Sequence, residues 1–235
     1  MKAALVIPVF RAKLPEFSAL LEQHCAEIEC HGFELEVRLV FDSGTEQAFD
    51  ALKALAMRPQ THVIYLPTNV GQQAATLAGL KSATADIYIT LDEDQCVDAG
   101  EISKLLEPLT TSHVDLVIGI RPPAAGFVRK LGTRSMVWLG RLLFGSKAPP
   151  GWGSVRVIRH SVVAELPATW SANRVLGFEL FGKARNPSWI ELPHRNFVSK
   201  SAYTNLGRFR YWKSSYGHYI WRWFSELYSR RASSQ

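Results

Sequence analysis

Cysteine and long apolar runs are both scarce in this sequence of 235 residues. Its three cysteines, Cys25, Cys30 and Cys96, are an odd and sparse set, which excludes a disulfide framework and favours a reducing, intracellular compartment. No run reaches the ~20 apolar residues that cross a bilayer, so any contact with a membrane is expected to be peripheral. With 12 prolines and 16 glycines, the composition also excludes a collagen-like or disordered chain.

What the chain does contain is a large apolar fraction and a moderate basic excess. Apolar residues make up 47% of it, enough for one large domain or two small ones. Lysine and arginine number 27 against 21 aspartates and glutamates, which gives a formal charge of +6. This excess favours an anionic partner, and a nucleotide, a lipid phosphate and a nucleic acid are the candidates.

The first two thirds of the chain alternate short β-branched runs with amphipathic stretches. This pattern is typical of βαβ units around a mostly parallel sheet and predicts an α/β fold. The predicted strands are residues 3–9, 34–41, 62–66, 87–91 and 114–120. Helices are predicted between the first four of these strands, and the third of these helices has an alanine-rich face that allows close packing on the sheet.

Further along the chain the alternation loosens. A helix is predicted over Phe127 to Phe144, and later strands are predicted at 154–158 and 189–192. Both later strands are expected to join the sheet as antiparallel additions, which are common in mixed α/β proteins.

Two acidic residues carry the clearest chemical signal. Asp92 and Asp94 follow the fourth predicted strand, in the run Asp92-Glu93-Asp94-Gln95. Ligands of open α/β sheets bind beyond the carboxyl ends of strands, so both carboxylates are expected to converge on one point there. Mg²⁺ or Mn²⁺ takes oxygen ligands and bridges phosphates, which makes a nucleotide diphosphate the matching ligand. A solvated acidic turn that caps the next helix is the alternative.

Six motifs follow one another along the chain in an informative order. They are Val6-Ile7-Pro8-Val9-Phe10, Val40-Phe41-Asp42-Ser43-Gly44-Thr45, Asn69-Val70-Gly71-Gln72-Gln73-Ala74 with Ala78-Gly79-Leu80, Thr90-Leu91-Asp92-Glu93-Asp94-Gln95, Val117-Ile118-Gly119-Ile120-Arg121 and Ser199-Lys200-Ser201-Ala202-Tyr203-Thr204. This series resembles glycosyltransferase family 2, and specifically its branch of polyprenyl-phosphate sugar transferases, which includes the dolichol-phosphate mannose synthases. The resemblance covers roughly residues 3 to 205.

The resemblance implies a fold and an activity. The expected fold is GT-A, a Rossmann-like α/β domain over residues 1–205, followed by a helical tail at 206–235. The expected activity is metal-dependent transfer of a sugar from a UDP- or GDP-sugar to a polyprenyl phosphate, with the enzyme in the cytoplasm at the inner face of the membrane. Asp92 and Asp94 would hold the Mg²⁺ or Mn²⁺, and Asp94 is also assigned a catalytic role.

The same resemblance assigns roles to further residues. Binding of donor or acceptor is expected at Pro8, Asp42, Asn69, Gly71, Gln72, Asp92, Gln95, Lys200, Ser201 and Tyr203. A phosphate acceptor, with a second pKa near ~6, is mostly a dianion at neutral pH and needs cations rather than a base. Arg121 is the first candidate for that task and Arg134 the second, because arginine can grip a phosphate with two donors.

The chain departs from the family pattern after its first two strands. Arg11-Ala12-Lys13 stands in place of the usual Asn-Glu-Glu, and Phe41 replaces the first of two acids, so carboxylates that help to hold the base and ribose are missing. The stretch from Gly153 to Val157 is close to neither family form, G-D-F-R-L or S-G-[FY]-R-L.

Two other functions stay open. One is sugar transfer to a saccharide hydroxyl in surface-polysaccharide assembly, for which Glu179 is the candidate base. The other is a non-catalytic module that binds a nucleotide sugar or a membrane surface, which the missing acids favour. Nucleic acid is not expected as a partner, because no recognisable binding motif accompanies the basic residues.

The tail from Leu206 to Arg231 interleaves aromatic and basic residues. This mixture suits the headgroup layer of a membrane, where amphipathic rings and cations both find partners. Helical spacing places one set of apolar residues on a single face: Tyr216, Tyr219, Ile220, Trp223, Phe224 and Leu227. The alternative is a helix that packs on the domain, on a second copy of the chain or on a membrane protein.

Overall fold

The sheet is the centre of the fold in the computed structural model, which describes residues 1–11, 16–93, 97–121, 127–193, 214–221 and 224–225. In these ranges seven strands form one sheet in the order β3-β2-β1-β4-β6-β5-β7. They are β1 (Lys2–Val9), β2 (Glu34–Phe41), β3 (Thr61–Tyr65), β4 (Ile87–Thr90), β5 (Leu116–Ile120), β6 (Arg156–Arg159) and β7 (Pro187–Glu191).

Helices cover both faces of this sheet. They are α1 (Glu16–Cys30), α2 (Glu46–Leu55), α3 (Gln72–Ser82), α4 (Ala99–Thr111), α5 (Phe127–Phe144), α6 (His160–Ala164) and α7 (Leu176–Lys183). Residues 214–221 are also helical and are called the tail segment below. No helix in these described ranges has both the length and the apolar character needed to cross a membrane.

The predicted strands and helices are confirmed, with bounds that differ by at most a few residues. The central strand β1 is buried at every position after Lys2, as expected for a parallel strand covered on both faces. Strand β6 runs antiparallel to β4 and β5, as predicted.

The predicted direction of β7 is wrong, because this strand pairs in parallel with β5. The reason lies just before it. The backbone N–H groups of Arg185 and Asn186 donate to the Asp115 carboxylate, at 2.7 and 3.0 Å, immediately before β5. Strand β7 therefore starts at the same end of the sheet as β5 and runs beside it in the same direction.

Helix α3 packs unusually close to the sheet, as its alanine-rich face predicts. A Cβ on Gly79 would overlap Cγ1 of Val6 in β1 and lie 2.9 Å from Cγ2 of Val40 in β2. Both valines are fully buried. The close approach sets the height of α3 above β1 and β2, and so the position of its first turn at the carboxyl edge of the sheet.

The tail segment packs on α5 and α7 through part of its predicted apolar face. Tyr219 is 1% exposed and shares a buried cluster with Leu139, Val175 and Phe178. Its hydroxyl accepts the backbone N–H of Val175 at 2.9 Å and donates to Glu179 at 2.8 Å.

The tail also exposes apolar side chains. Trp221 is 72% exposed, and Phe224, on the predicted apolar face, is 60% exposed. The side chains of Trp223 and Leu227 lie outside the described part of the chain. The described tail thus packs with one set of aromatic residues and presents another to solvent.

Replacing Gly79 by alanine tests the close packing of α3. We expect Gly79→Ala to lower the free energy of unfolding by about 1–3 kcal/mol, because the added methyl overpacks the core between Val6 and Val40. Gly100→Ala in α4 is the matched control, since a Cβ there meets no atom within 4 Å. Urea denaturation should show the control unchanged or stabilised by up to ~1 kcal/mol. Equal effects of the two substitutions would contradict the packing.

Candidate active site

The carboxyl edge of the sheet gathers most of the predicted site residues that the structure describes. The parallel strands β1, β2, β4 and β5 all end at this edge, and the antiparallel β6 begins there. Asp42 follows β2, Asp92 follows β4 and Arg121 follows β5. This is the side of an open α/β sheet on which ligands bind.

Asp92 is held from two sides by uncharged donors. The side-chain amide of Gln72, the first residue of α3, donates to Oδ1, and the hydroxyl of Ser154 donates to Oδ2. The backbone of Ser154 is fixed in turn, because its carbonyl accepts the Thr90 hydroxyl at 2.6 Å. Gln72 and Asp92, both predicted to bind substrate, therefore lie in contact, and the Asp92 carboxylate has one defined orientation.

Ser154 is a site residue that the sequence analysis did not identify. In the antiparallel ladder Thr90 pairs with Arg156, so continuing the register places Ser154 opposite Asp92. Gly153 makes this register possible, because a Cβ at that position would overlap the backbone carbonyl of Gly119. The signal in the sequence was the stretch from Gly153 to Val157, the one that follows neither family form.

Asp42 binds the loop that precedes α3. Its carboxylate accepts the backbone N–H groups of Val70 and Gly71, at 2.7 and 2.9 Å, and its own carbonyl accepts the Asn69 side chain at 3.2 Å. Gly71 has φ +85°, a conformation that side-chain-bearing residues rarely adopt. Asp42, Asn69 and Gly71 thus contact one another, and the substrate-binding roles of all three stay predictions.

Burial sets the protonation behaviour of Asp42, which is 3% exposed. Removal from water raises the pKa of this carboxyl, and the two backbone hydrogen bonds from Val70 and Gly71 offset part of that rise.

The end of β1 is joined to the acidic loop by Glu93. Its carboxylate accepts the backbone N–H groups of Phe10 and Arg11, at 2.7 and 2.9 Å. The Phe10 carbonyl accepts the N–H of Thr45 at 3.0 Å, which ties the end of β1 to the loop after β2. Pro8 is buried within β1 opposite Val40, and its contact with a substrate stays a prediction.

The two candidate arginines have different surroundings. Arg121 ends β5 at the predicted edge, where its guanidinium donates to Glu101 at 2.8 Å and to the Pro193 carbonyl at 3.1 Å. Glu101 is 3% exposed, so this ion pair holds Arg121 against α4. Arg134 is exposed on α5.

Several predicted site residues lie outside the described part of the chain, namely Asp94, Gln95, Lys200, Ser201 and Tyr203. Among the described residues, no group of three or more histidine, cysteine, aspartate or glutamate side chains could hold a metal ion. Asp92 is the described member of the predicted metal pair. Its carboxylate oxygens are hard ligands of the kind that Mg²⁺ or Mn²⁺ takes.

Glu179, the candidate base for a hydroxyl acceptor, is buried in α7. One of its oxygens accepts the Tyr219 hydroxyl, and the other lies 3.6 Å from the Arg174 guanidinium. With 6% exposure, Glu179 links α7 to the tail segment, and this placement argues against a role as the base.

A family model described as glycosyl transferase family 2 matches residues 5–164, which include most of β1 and all of β2 to β6. The chain belongs to this glycosyltransferase family. The predicted family is therefore confirmed.

The chain is similar to named relatives over part of their length. It is 30% identical over 196 residues to the undecaprenyl-phosphate 4-deoxy-4-formamido-L-arabinose transferase of Pseudomonas aeruginosa. This match covers 81% of the chain and 57% of the relative. The protein of the same name from Erwinia tasmaniensis is 31% identical over 141 residues, which are 57% of the chain and 42% of that relative. The chain thus spans about half the length of these relatives.

Two solved glycosyltransferase structures are similar in fold to this chain. The glucosyl-3-phosphoglycerate synthase of Mycobacterium tuberculosis, solved with Mn²⁺, UDP and glucosyl-3-phosphoglycerate, superposes with a TM-score of 0.65 at 16% identity, over 85% of the chain and 73% of the synthase. S. aureus TarS with UDP-GlcNAc gives 0.59 at 15% identity, over 87% and 62%. At this identity the likeness concerns the fold, and it confirms the predicted GT-A architecture.

The buried carboxyl of Asp42 leads to a pH-dependent prediction. Its raised pKa means that the folded state holds the proton more tightly than the unfolded chain, so ionisation costs stability as pH rises above the ordinary value. Asp42→Asn stays neutral at every pH. We expect the stability of the variant relative to the wild type to rise as the pH increases above about 4, the ordinary pKa of an aspartate side chain.

Urea denaturation of both proteins across this pH range measures the difference. Asp50→Asn is the control, because Asp50 is exposed on α2 and its ion pair with Lys53 is exposed as well. The control should show little change with pH relative to the wild type. A variant that instead loses stability relative to the wild type as pH rises would show that the ionised carboxylate is favoured by folding.

Proposed function

We propose that this chain catalyses transfer of a sugar from a UDP- or GDP-sugar to a polyprenyl phosphate, with the help of Mg²⁺ or Mn²⁺. The observation that carries the proposal is the position of Asp92 at the carboxyl edge, between the first turn of α3 and the start of β6. The names of the relatives support the acceptor class, since they are called undecaprenyl-phosphate sugar transferases. The fold neighbours solved with UDP and Mn²⁺ support the donor and metal classes.

The donor would lie along this edge. Asp42 holds the loop from Asn69 to Gly71, and this loop leads into the first turn of α3, whose backbone N–H groups and positive dipole end favour a diphosphate. Asp92 and Asp94 would hold the metal, and a metal bound there would offset the negative charge of the departing nucleotide diphosphate. Gln72 and Ser154 keep the Asp92 carboxylate in one orientation for this purpose.

The acceptor would need cations rather than a base. A phosphate dianion is nucleophilic as it stands, and the protein has to offset its charge while it approaches the sugar. We propose Arg134 and Arg121 for this role. Arg134 is exposed on α5, whereas Arg121 would have to share its guanidinium between Glu101 and the lipid phosphate.

A transfer assay tests this function directly. Labelled UDP- and GDP-sugars, Mn²⁺ or Mg²⁺ and undecaprenyl phosphate in detergent should give a labelled lipid product. We expect Asp92→Asn to reduce the rate by roughly 100-fold or more, because it removes a charge from the diphosphate site. Asp50→Asn, on the exposed face of α2, should keep full activity.

The controls separate the alternatives. Circular dichroism should show Asp92→Asn folded, since the substitution removes no core volume. Undiminished transfer in excess EDTA would reject the metal role, and product on a saccharide but not on the lipid would reject the acceptor. Donor binding without transfer to any acceptor would leave the non-catalytic module as the function.

A membrane-facing surface would bring the site to a lipid acceptor. Leu131, Arg134, Trp138 and Arg141 follow one another at spacings of three, four and three, so they share one face of α5, and all are exposed. Apolar and cationic side chains alternate along this face, as in helices that lie in a lipid headgroup layer. Exposed Trp221 of the tail segment, which packs on α5, adds a further aromatic side chain.

Vesicle binding tests this surface. We expect the protein to co-sediment with anionic vesicles and high salt to weaken the binding, since each basic residue near the surface contributes about 1 kcal/mol. Trp138→Ala combined with Trp221→Ala should lower the part that resists salt. Trp189→Ala is the control, because Trp189 is partly exposed on the edge strand β7.

Equal binding of the double variant and the wild type would show that these aromatic side chains serve packing or subunit contact. Thermal unfolding of each variant shows whether a loss of vesicle binding comes from the missing side chains or from a loss of structure.

A further inference from the structure

Glu93 stands between the two aspartates of the acidic motif, at a position to which the motif assigns no role. The carboxylates of Glu93 and Asp92 accept hydrogen bonds from different donors. Oε2 accepts the backbone N–H of Phe10 at 2.7 Å, and Oε1 accepts that of Arg11 at 2.9 Å. Two successive N–H groups of one strand end are thus bound by one carboxylate, which makes both hydrogen bonds charge-assisted.

These contacts join parts of the chain that are distant in sequence. Glu93 directly follows Asp92, whose carboxylate is bound to α3 and to the start of β6. Phe10 is bound to the loop after β2 through Thr45, and Gly44 permits this approach because a Cβ there would overlap the Phe10 carbonyl. The acidic loop, the end of β1 and the loop after β2 therefore form one connected unit.

The contacts of Glu93 also bring a carboxylate to the end of β1. The sequence has Arg11-Ala12-Lys13 where the family pattern carries acids, and Glu93 brings a carboxylate to the backbone of Phe10 and Arg11 from a different strand. The Arg11 guanidinium itself lies 5.2 Å from the centre of the Phe10 ring. The acid at this strand end thus comes from the loop that follows β4.

We propose that Glu93 is a positioning residue for donor binding, which fixes the acidic loop at a set distance from the ends of β1 and β2. A nucleotide sugar has a nucleoside part and a diphosphate part, and both must be held at once. The separation between their binding groups is set by the link from Asp92 through Glu93 to Phe10. This inference rests on the proposed function, because it concerns a nucleotide donor at this edge.

The experiment compares Glu93→Ala and Glu93→Gln with the wild type. Alanine removes both acceptors, whereas glutamine keeps one oxygen and the side-chain length. Glu107→Gln is the matched control, since Glu107 is exposed on α4. Calorimetric titration with UDP and with GDP, each in the presence of Mn²⁺, measures the dissociation constants, and thermal unfolding of the free proteins measures their stability.

We expect Glu93→Ala to raise the dissociation constant of the better-bound nucleotide by about tenfold, the size of one lost charge-assisted contact. Glu93→Gln should fall between alanine and the wild type, and Glu107→Gln should match the wild type. Amide exchange of Phe10 and Arg11 should accelerate in the same order. If Glu93→Ala does not fold, Glu93→Gln alone decides, with a rise of several-fold expected.

Two results would overturn the inference in distinguishable ways. Wild-type protein that binds nucleotide while the folded Glu93 variants bind it within twofold, and only their unfolding temperatures fall, would make Glu93 a purely structural residue. Wild-type protein that binds neither UDP nor GDP with Mn²⁺ would instead defeat the proposed donor, and the role of Glu93 with it.

Discussion

Carboxylates that accept backbone N–H groups hold the irregular segments of this structure in place. Asp42 binds Val70 and Gly71, Glu93 binds Phe10 and Arg11, and Asp115 binds Arg185 and Asn186. A buried N–H without an acceptor is costly, and loops lack the regular ladder that satisfies strands. A carboxyl group has two acceptor oxygens, so a single acid can fix two successive residues.

This use of acids shapes the candidate site. Asp42 after β2 and Glu93 after β4 accept hydrogen bonds from backbone N–H groups. Asp92, by contrast, accepts hydrogen bonds from the side chains of Gln72 and Ser154. Asp42 and Glu93 thus stabilise the loops at this edge of the sheet, whereas Asp92 is oriented by the residues around it. Exposed basic residues also lie on α5, among them Arg134 and Arg141.

The strands and helices that depend on the local sequence pattern could be predicted from it. Strands β1 to β5 and helices α1 to α3 follow from apolar periodicity, and the ordered motifs predicted the family. The same motifs named Asp42, Gly71, Gln72 and Asp92 as site residues, but their mutual contacts come from the structure. The direction of β7 depends on Asp115, some 70 residues before the backbone it binds.

The contacts that the sequence analysis missed also join residues that are distant in sequence. Ser154 reaches Asp92 through the register of an antiparallel pair, and register leaves no periodic trace in a single sequence. Arg121 was expected to bind phosphate, and its pairing with Glu101 depends on how α4 lies over β5. No role was predicted for Glu93, because a motif describes the order of residues and not the direction in which each side chain points.

The start of β6 also bears on how such an enzyme could change over evolutionary time. Gly153 lies against the carbonyl of Gly119, so the neighbouring strand leaves no room for a side chain there and the strand cannot slide past its partner. Residue 154, next to it, is held opposite Asp92 whatever its side chain is, and it lies outside the parallel strands that form most of the core. A substitution at 154 would alter the chemistry around Asp92 at little cost to the framework, which makes this position a natural place for the specificities of related enzymes to diverge.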